Sequence, residues 1–189
     1  LRDPSEKPLV DSLRRGDARA FDTVYARYGA RVLGFLLRLS KRRDVAEDLF
    51  QETFCKLARH AARLDEDTDL AAWLFRVARN AYVSWRRWSM LDLSRLAAFD
   101  EDALPAVAAS DPASRSDAAR RVAQLEVALS RLPPASREVL LLVGVEGFDQ
   151  EQAAAVLGIS YEALRQRLSR ARAQLAERLG MKETSEVPA

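Results

Sequence analysis

Histidine and cysteine are almost missing from this chain: His60 and Cys55 are the only ones in 189 residues. A single cysteine permits no intramolecular disulfide and no cysteine-rich zinc site. A single histidine leaves little for metal ligation or for acid–base chemistry, so no metal, cofactor or catalytic residue is expected. Asp65, Glu66 and Asp67 do cluster, but with no histidine, cysteine or glycine-rich phosphate cradle beside them. No apolar run reaches the roughly 18 residues of a membrane span, and no signal peptide is visible. A cytoplasmic protein with no membrane insertion of its own is therefore expected. Lysine is scarce as well. Of 30 basic residues only Lys7, Lys41, Lys56 and Lys182 are lysine, and the rest are arginine. Arginine suits forked contacts with phosphate and base edges, although codon bias in a GC-rich genome produces the same excess. The formal net charge of +2 says nothing about partners, so any meaning lies in how the charge is distributed.

What is present is helical periodicity. With 48 % hydrophobic residues a core can be buried, and no strand pattern competes. The expectation is an all-α chain of two small helical domains joined by a linker. The boundaries fall at 1–91, a linker at 92–116, a second domain at 117–182 and a tail at 183–189. In the first domain Phe21, Val24, Tyr25, Tyr28, Val32, Phe35 and Leu36 recur at spacings of three and four. Asp44 is expected to open the next helix through a capping box with Glu47. That helix sets an apolar stripe (Val45, Leu49, Phe50, Thr53, Phe54, Leu57) against a polar one (Asp44, Asp48, Gln51, Glu52, Cys55). A third helix runs from Leu70 to about Trp88. The linker, rich in Pro, Ser, Asp and small residues, has poor periodicity.

The second domain predicts four helices: 117–132, stopped by Pro133-Pro134; 136–145, ended by Gly147; one capped by Asp149 and Gln152 and ended by Gly158; and one capped by Ser160. The last two have the marks of a helix-turn-helix. Ala154 is small where the helices touch, Gly158 makes the turn, and Leu164 faces back. Tyr161, Leu164, Leu168, Ala171 and Leu175 form the inward face of the final helix. Glu162, Arg165, Gln166, Ser169 and Arg170 form the outward face. Arginine can bridge two acceptors on guanine and glutamine can pair with adenine, while Arg167 and Arg172 beside them suit phosphate. An arginine-bearing helix alone is ordinarily a solvated face. The capped helix before it and the glycine turn favour DNA.

The stretch "AAWLFRVARNAYVSWRRWSM" interleaves tryptophan and arginine, a pattern suited to opened nucleic acid. Trp73 and Trp85 lie on the apolar face and are expected in the core, which leaves Trp88 free.

Two segments carry a resemblance. "DVAEDLFQETFCKLARH" with "AAWLFRVARNAYVSWRRW" resembles the core-binding and promoter-opening region of bacterial sigma factors. "LPPASREVLLLVGVEGFDQEQAAAVLGIS" with "LRQRLSRARAQL" resembles their C-terminal promoter-binding region. The short length, with a mere linker between the two, is similar to the extracytoplasmic-function group. The resemblance implies that Asp48, Gln51 and Glu52 dock on the RNA polymerase core. It implies that "HAARLDEDTD" forms a pocket for a flipped base, and that Arg76, Arg79, Asn80 and Arg87 hold the minus-ten element. Arg165, Gln166, Ser169 and Arg170 would read the minus-thirty-five element of promoter DNA, and an anti-sigma factor would be a further partner. Glu162-Ala163 replaces a Gly-Thr pair common in the family, Gln166 a common serine, and "FDQEQAAAVLG" the usual opening of the first helix. These departures bear on which promoter is read.

Three rival readings explain less. A decoy that sequesters an anti-sigma factor needs no arginines on either DNA face. An ordinary helix-turn-helix regulator leaves the Asp48-Gln51-Glu52 stripe and the tryptophan helix unexplained. An enzyme lacks a catalytic constellation.

Overall fold

The computed structural model describes residues 6–91 and 117–180. Every regular element in that range is helical. The first half contains α1 (Glu6–Arg14), α2 (Ala18–Ser40), α3 (Arg43–His60), a short 3₁₀ turn at Ala61–Arg63 and α4 (Leu70–Leu91). The second half contains α5 (Asp117–Ser130), α6 (Pro134–Leu140), a π-helical turn at Leu141–Val145, α7 (Gln150–Leu157) and α8 (Tyr161–Arg178). The expected linker and tail lie outside the described residues.

Helices α2, α3 and α4 pack on one another through the anticipated stripes. Val24, Val32, Phe35 and Leu36 of α2 meet Leu49 and Leu57 of α3 and Leu70, Leu74 and Ala78 of α4, all buried. Asp17 caps α2 by accepting from the Arg19 amide at 2.9 Å. The capping box expected at Asp44 is not formed. Arg42 holds the cap position, the helix starts at Arg43, and the side chain of Asp44 is taken by Arg42 while Glu47 pairs with Arg43 at 2.7 Å. Neighbouring arginines engage both carboxylates. In this charge-rich stretch a charge-assisted bond is stronger than a neutral one.

Helix α6 begins at Pro134 rather than Ser136. Proline is well placed at the first helical position, where its missing N–H has no partner to lose. Its continuation widens into the π turn, which the periodicity did not announce. Glu146 N–H bonds the carbonyl of Leu141 at 2.9 Å, and Gly147, at φ 74°, reverses the chain. Phe148 is thereby turned inward and is only 5 % exposed.

The two halves pack on each other. Their buried side chains form one continuous cluster. α4 lies against α7 and α2 against α6. Phe148 of the second half meets Phe75 of α4 edge-on at 5.1 Å, and Phe75 in turn packs on Phe35 of α2.

Candidate nucleic-acid interface

The turn between α7 and α8 follows local chemistry. Asp149 Oδ1 accepts from the Gln152 amide at 2.8 Å, and Gln152 Oε1 accepts from the Asp149 amide at 3.2 Å, which closes the capping box. Gly158, at φ 65°, ends α7 in the left-handed region. Ser160 Oγ then accepts from the Ala163 amide at 3.2 Å and starts α8. Leu164, Leu168 and Ala171 are buried against the domain. Glu162, Arg165, Gln166, Ser169 and Arg170 are all exposed on the other side. Arg165, Ser169 and Arg172 share with Gln150, at the start of α7, a groove of about 500 Å³.

One expected inward residue differs. Tyr161 is 41 % exposed, and the Arg165 guanidinium lies over its ring at 5.9 Å. Side chains on a helix lean toward its N-terminus, so a residue in the first turn reaches past the packed part of the helix. Tyr161 therefore belongs to the outer surface.

On α4, Arg76, Asn80 and Arg87 are exposed and Arg79 is half-buried. Arg76, Arg79 and Asn80 line one wall of a cleft of about 390 Å³ whose other wall is the helix-turn-helix, Ala154 to Ile159. Arg87 lies further along α4 and outside that cleft. Arg79 Nε donates to Glu138 Oε2 of α6 at 3.3 Å. Trp73 and Trp85 pack on the core, and Trp88 is 73 % exposed.

Residues 61–69, before α4, are held from the N-terminal side. The buried carboxylate of Glu6 accepts from the Tyr28 hydroxyl and from the Leu70 amide. Burial, and then Glu6, push the Tyr28 hydroxyl well above its usual pKa. Lys7 pairs with Asp67 at 3.2 Å. Asp65, Glu66 and Asp67 are exposed.

Asp48, Gln51 and Glu52 are exposed on the side of α3 away from its buried stripe. Glu52 also pairs with Lys56, one turn later, at 2.6 Å. This face is separate from the helix-turn-helix contact, so both it and the outer face of α8 stay open in the closed molecule.

Sequence reasoning passed over Arg137 and Glu138. Both are about 95 % buried. The Arg137 guanidinium donates to the carbonyls of Leu129, Ser130 and Leu132 and, across to α2, to that of Leu39 at 3.2 Å. Burial pushes its pKa down from the usual value, yet arginine remains charged. The signal was present: a charged pair interrupts the apolar run "ASREVLLLV", which demands a buried partner or an exposed edge.

Residues 24–89 match Sigma-70 region 2 and residues 123–175 match Sigma-70, region 4. The chain is 36 % identical to the RNA polymerase sigma factor CarQ of Myxococcus xanthus over 90 % of this chain and 95 % of that protein. It is 32 % identical to the ECF RNA polymerase sigma factor EcfG of Rhodopseudomonas palustris, covering 89 % and 86 %. Among solved structures it is similar to CnrH bound to the cytosolic domain of CnrY (27 % identity, TM-score 0.69, 94 % and 99 % covered). It is similar also to RpoE bound to the anti-sigma factor NepR from Bartonella quintana (28 %, TM-score 0.71, 88 % and 100 %). Both alignments take in the two halves together. The order of the two matched regions, the capped helix-turn-helix and these relatives agree: the chain belongs to the ECF group of RNA polymerase sigma factors, which direct promoter recognition and are not themselves catalytic.

Proposed function

We propose the following division of labour within this sigma factor. The domain at 1–91 binds polymerase core through Asp48, Gln51 and Glu52, and holds the minus-ten element through Arg76, Arg79, Asn80 and Arg87. The domain at 117–182 reads the minus-thirty-five element through Arg165, Gln166, Ser169 and Arg170. The observation that carries the reading is the capped helix-turn-helix with all four of these last side chains on the exposed face of α8. Arginine and glutamine there match base edges in the major groove. The exposed polar stripe of α3, which lies away from the buried core, supports the docking role. The protein works in the cytoplasm, where polymerase and promoter are. A relative solved with an anti-sigma factor supports such a partner for this chain too.

The test is assembly. The purified chain should co-elute with bacterial RNA polymerase core on size exclusion, and the assembled complex should select a defined promoter from a random DNA pool. Charge reversal at Asp48 and Glu52 together should weaken core binding at least about tenfold, a loss of 1.4 kcal/mol, with helical content unchanged. Unaltered affinity would remove the α3 assignment. A folded chain that binds an anti-sigma factor but neither core nor DNA would be a decoy.

A further inference from the structure

The carboxylate of Glu6 joins three helices of the first half. It stands at the start of α1 and is only 9 % exposed. One oxygen accepts from the Tyr28 hydroxyl of α2, and the other from the amide of Leu70, the first residue of α4, at 3.2 Å. The leading N–H groups of a helix have no partner inside it. On α4 the Ala72 amide donates to Asp69 Oδ1 at 2.8 Å and the Trp73 amide to the Asp69 carbonyl at 2.9 Å. Asp69 is thus a local cap. Glu6 is a second one, supplied from 64 positions away.

The two caps have different attachments. The other oxygen of Asp69 accepts from Gln152 Nε2 of α7 at 2.8 Å, so the local cap is shared with the second half. Tyr28 and Leu70 both belong to the first half, and the hold of Glu6 does not depend on where the second half sits. Beside it α1 packs on the 3₁₀ turn Ala61–Arg63, and Lys7 reaches Asp67. Between that turn and α4 the chain is thinly anchored. Leu64 is buried, whereas Asp65, Glu66 and Asp67 are exposed.

We propose that Glu6 is a positioning residue for strand capture: by capping α4 at Leu70 it fixes where residues 60–69 end and where the minus-ten helix begins. A base held by that loop and a strand held by Arg76, Arg79, Asn80 and Arg87 are then kept in one register. Glu6 itself is buried and contacts no base. The inference rests on reading residues 60–69 as the pocket for a flipped base and α4 as the minus-ten helix. A carboxylate suits the place, since negative charge is favoured at a helix N-terminus. Misplacing a positioned group by about 1 Å can cost on the order of 100-fold, so this joint bears on binding beyond its share of stability.

The test pairs changes in the protein with changes in the promoter. The full chain carries Glu6→Met with Tyr28→Phe. This removes the cap and both buried polar side chains at similar volume, a replacement that can be nearly neutral for stability. Tyr28→Phe alone keeps the cap and is the control. Each chain is assembled with bacterial RNA polymerase core. The probe is a fork promoter of the sequence the parent selects, single-stranded at the minus-ten element, with an abasic residue placed at each position of that element in turn. In the parent one position should stand out as the captured base. The double variant should lose about tenfold in affinity on the intact fork, the scale of one bond to a charged group, and little on the fork abasic at that position. Tyr28→Phe should match the parent on both.

A double variant that binds every fork more weakly by the same factor, abasic or not, has lost structure alone and overturns the proposal. So does one that binds as the parent does, or a Tyr28→Phe control with the same position-specific loss. Core binding and promoter selection by the parent test the sigma reading separately. A parent that passes both and shows no abasic-sensitive position overturns this inference alone, and one that fails either overturns it together with that reading. Should the double variant lose helicity, Glu6→Asp, one methylene shorter, should give a smaller loss at the same position. No loss there overturns the proposal equally.

Discussion

Arg165 projects from α8 with its guanidinium over Tyr161, which limits the directions in which it can reach. An exposed contact of this kind is worth about 0.5–1 kcal/mol, enough to bias the side chain without fixing it. If Arg165 makes a forked contact to a base, Arg165→Ala should cost about 1–3 kcal/mol at one promoter position and little elsewhere. Binding titrations against single-base promoter variants separate this from a phosphate contact, which would lose affinity uniformly. Arg137 is a residue of the opposite kind, buried and wholly committed inside the protein. Removing its charge would leave the carbonyls of Leu129, Ser130, Leu132 and Leu39 with fewer donors in a dry setting. Arg137→Met should therefore lower stability by at least about 3 kcal/mol, read as a shift in the urea midpoint. A shift under 1 kcal/mol would mean that water replaces the guanidinium.

Among the elements, α7 shows how little is needed to set a functional geometry. It has only eight residues and would not persist alone. Its start is held by the Asp149–Gln152 box and its end by Gly158. Asp149→Ala should cost about 1 kcal/mol and loosen the angle at which α8 is presented. Gly158→Ala should cost about 1–2 kcal/mol from the left-handed backbone alone, because a Cβ there meets nothing within 4 Å. Thermal melts measure both. A larger loss for Gly158→Ala would indicate a close contact that the turn does not display. The π turn before α7 matters in another way. It is where the chain leaves regular helix, and the reversal at Gly147 aims Phe148 and Glu146 at the first half.

At the scale of the whole molecule, the closed arrangement should respond to pH through Glu146. Burial raises its carboxyl above the ordinary 4.5, while Arg31 and then Arg38 pull it back. The closed form thus holds this proton more tightly than a separated form does. Closure gains from the group at low pH and loses that gain as pH rises through the raised value. Energy transfer between dyes at Ala30→Cys and Gly144→Cys, in a Cys55→Ser background, should increase as pH falls through the raised value, and Glu146→Gln should flatten the change. A transfer signal that falls with acid in the parent, or an unaltered pH response in the variant, would assign the dependence to other groups.

The apolar spacing of α2, α3, α4 and α8, the Asp149–Gln152 box and the glycine turn were all legible along the chain. Each depends on residues a few positions apart, whose geometry a helix dictates. The exposure of Asp48, Gln51 and Glu52 followed from the same periodicity. Legibility ended where contacts join residues some 60 to 115 positions apart. Asp44 is the local exception: it looked like a cap, but Arg42, only two residues away, takes its side chain. Arg137, Glu138, Glu146 and Phe148 looked like an apolar helix with stray charges, because their partners Leu39, Arg79, Arg31 and Phe75 lie across the linker. Local periodicity tells which face of a helix seeks cover, and only the packed chain decides what covers it. Here the cover is a carboxylate-bearing domain set on an arginine-bearing one.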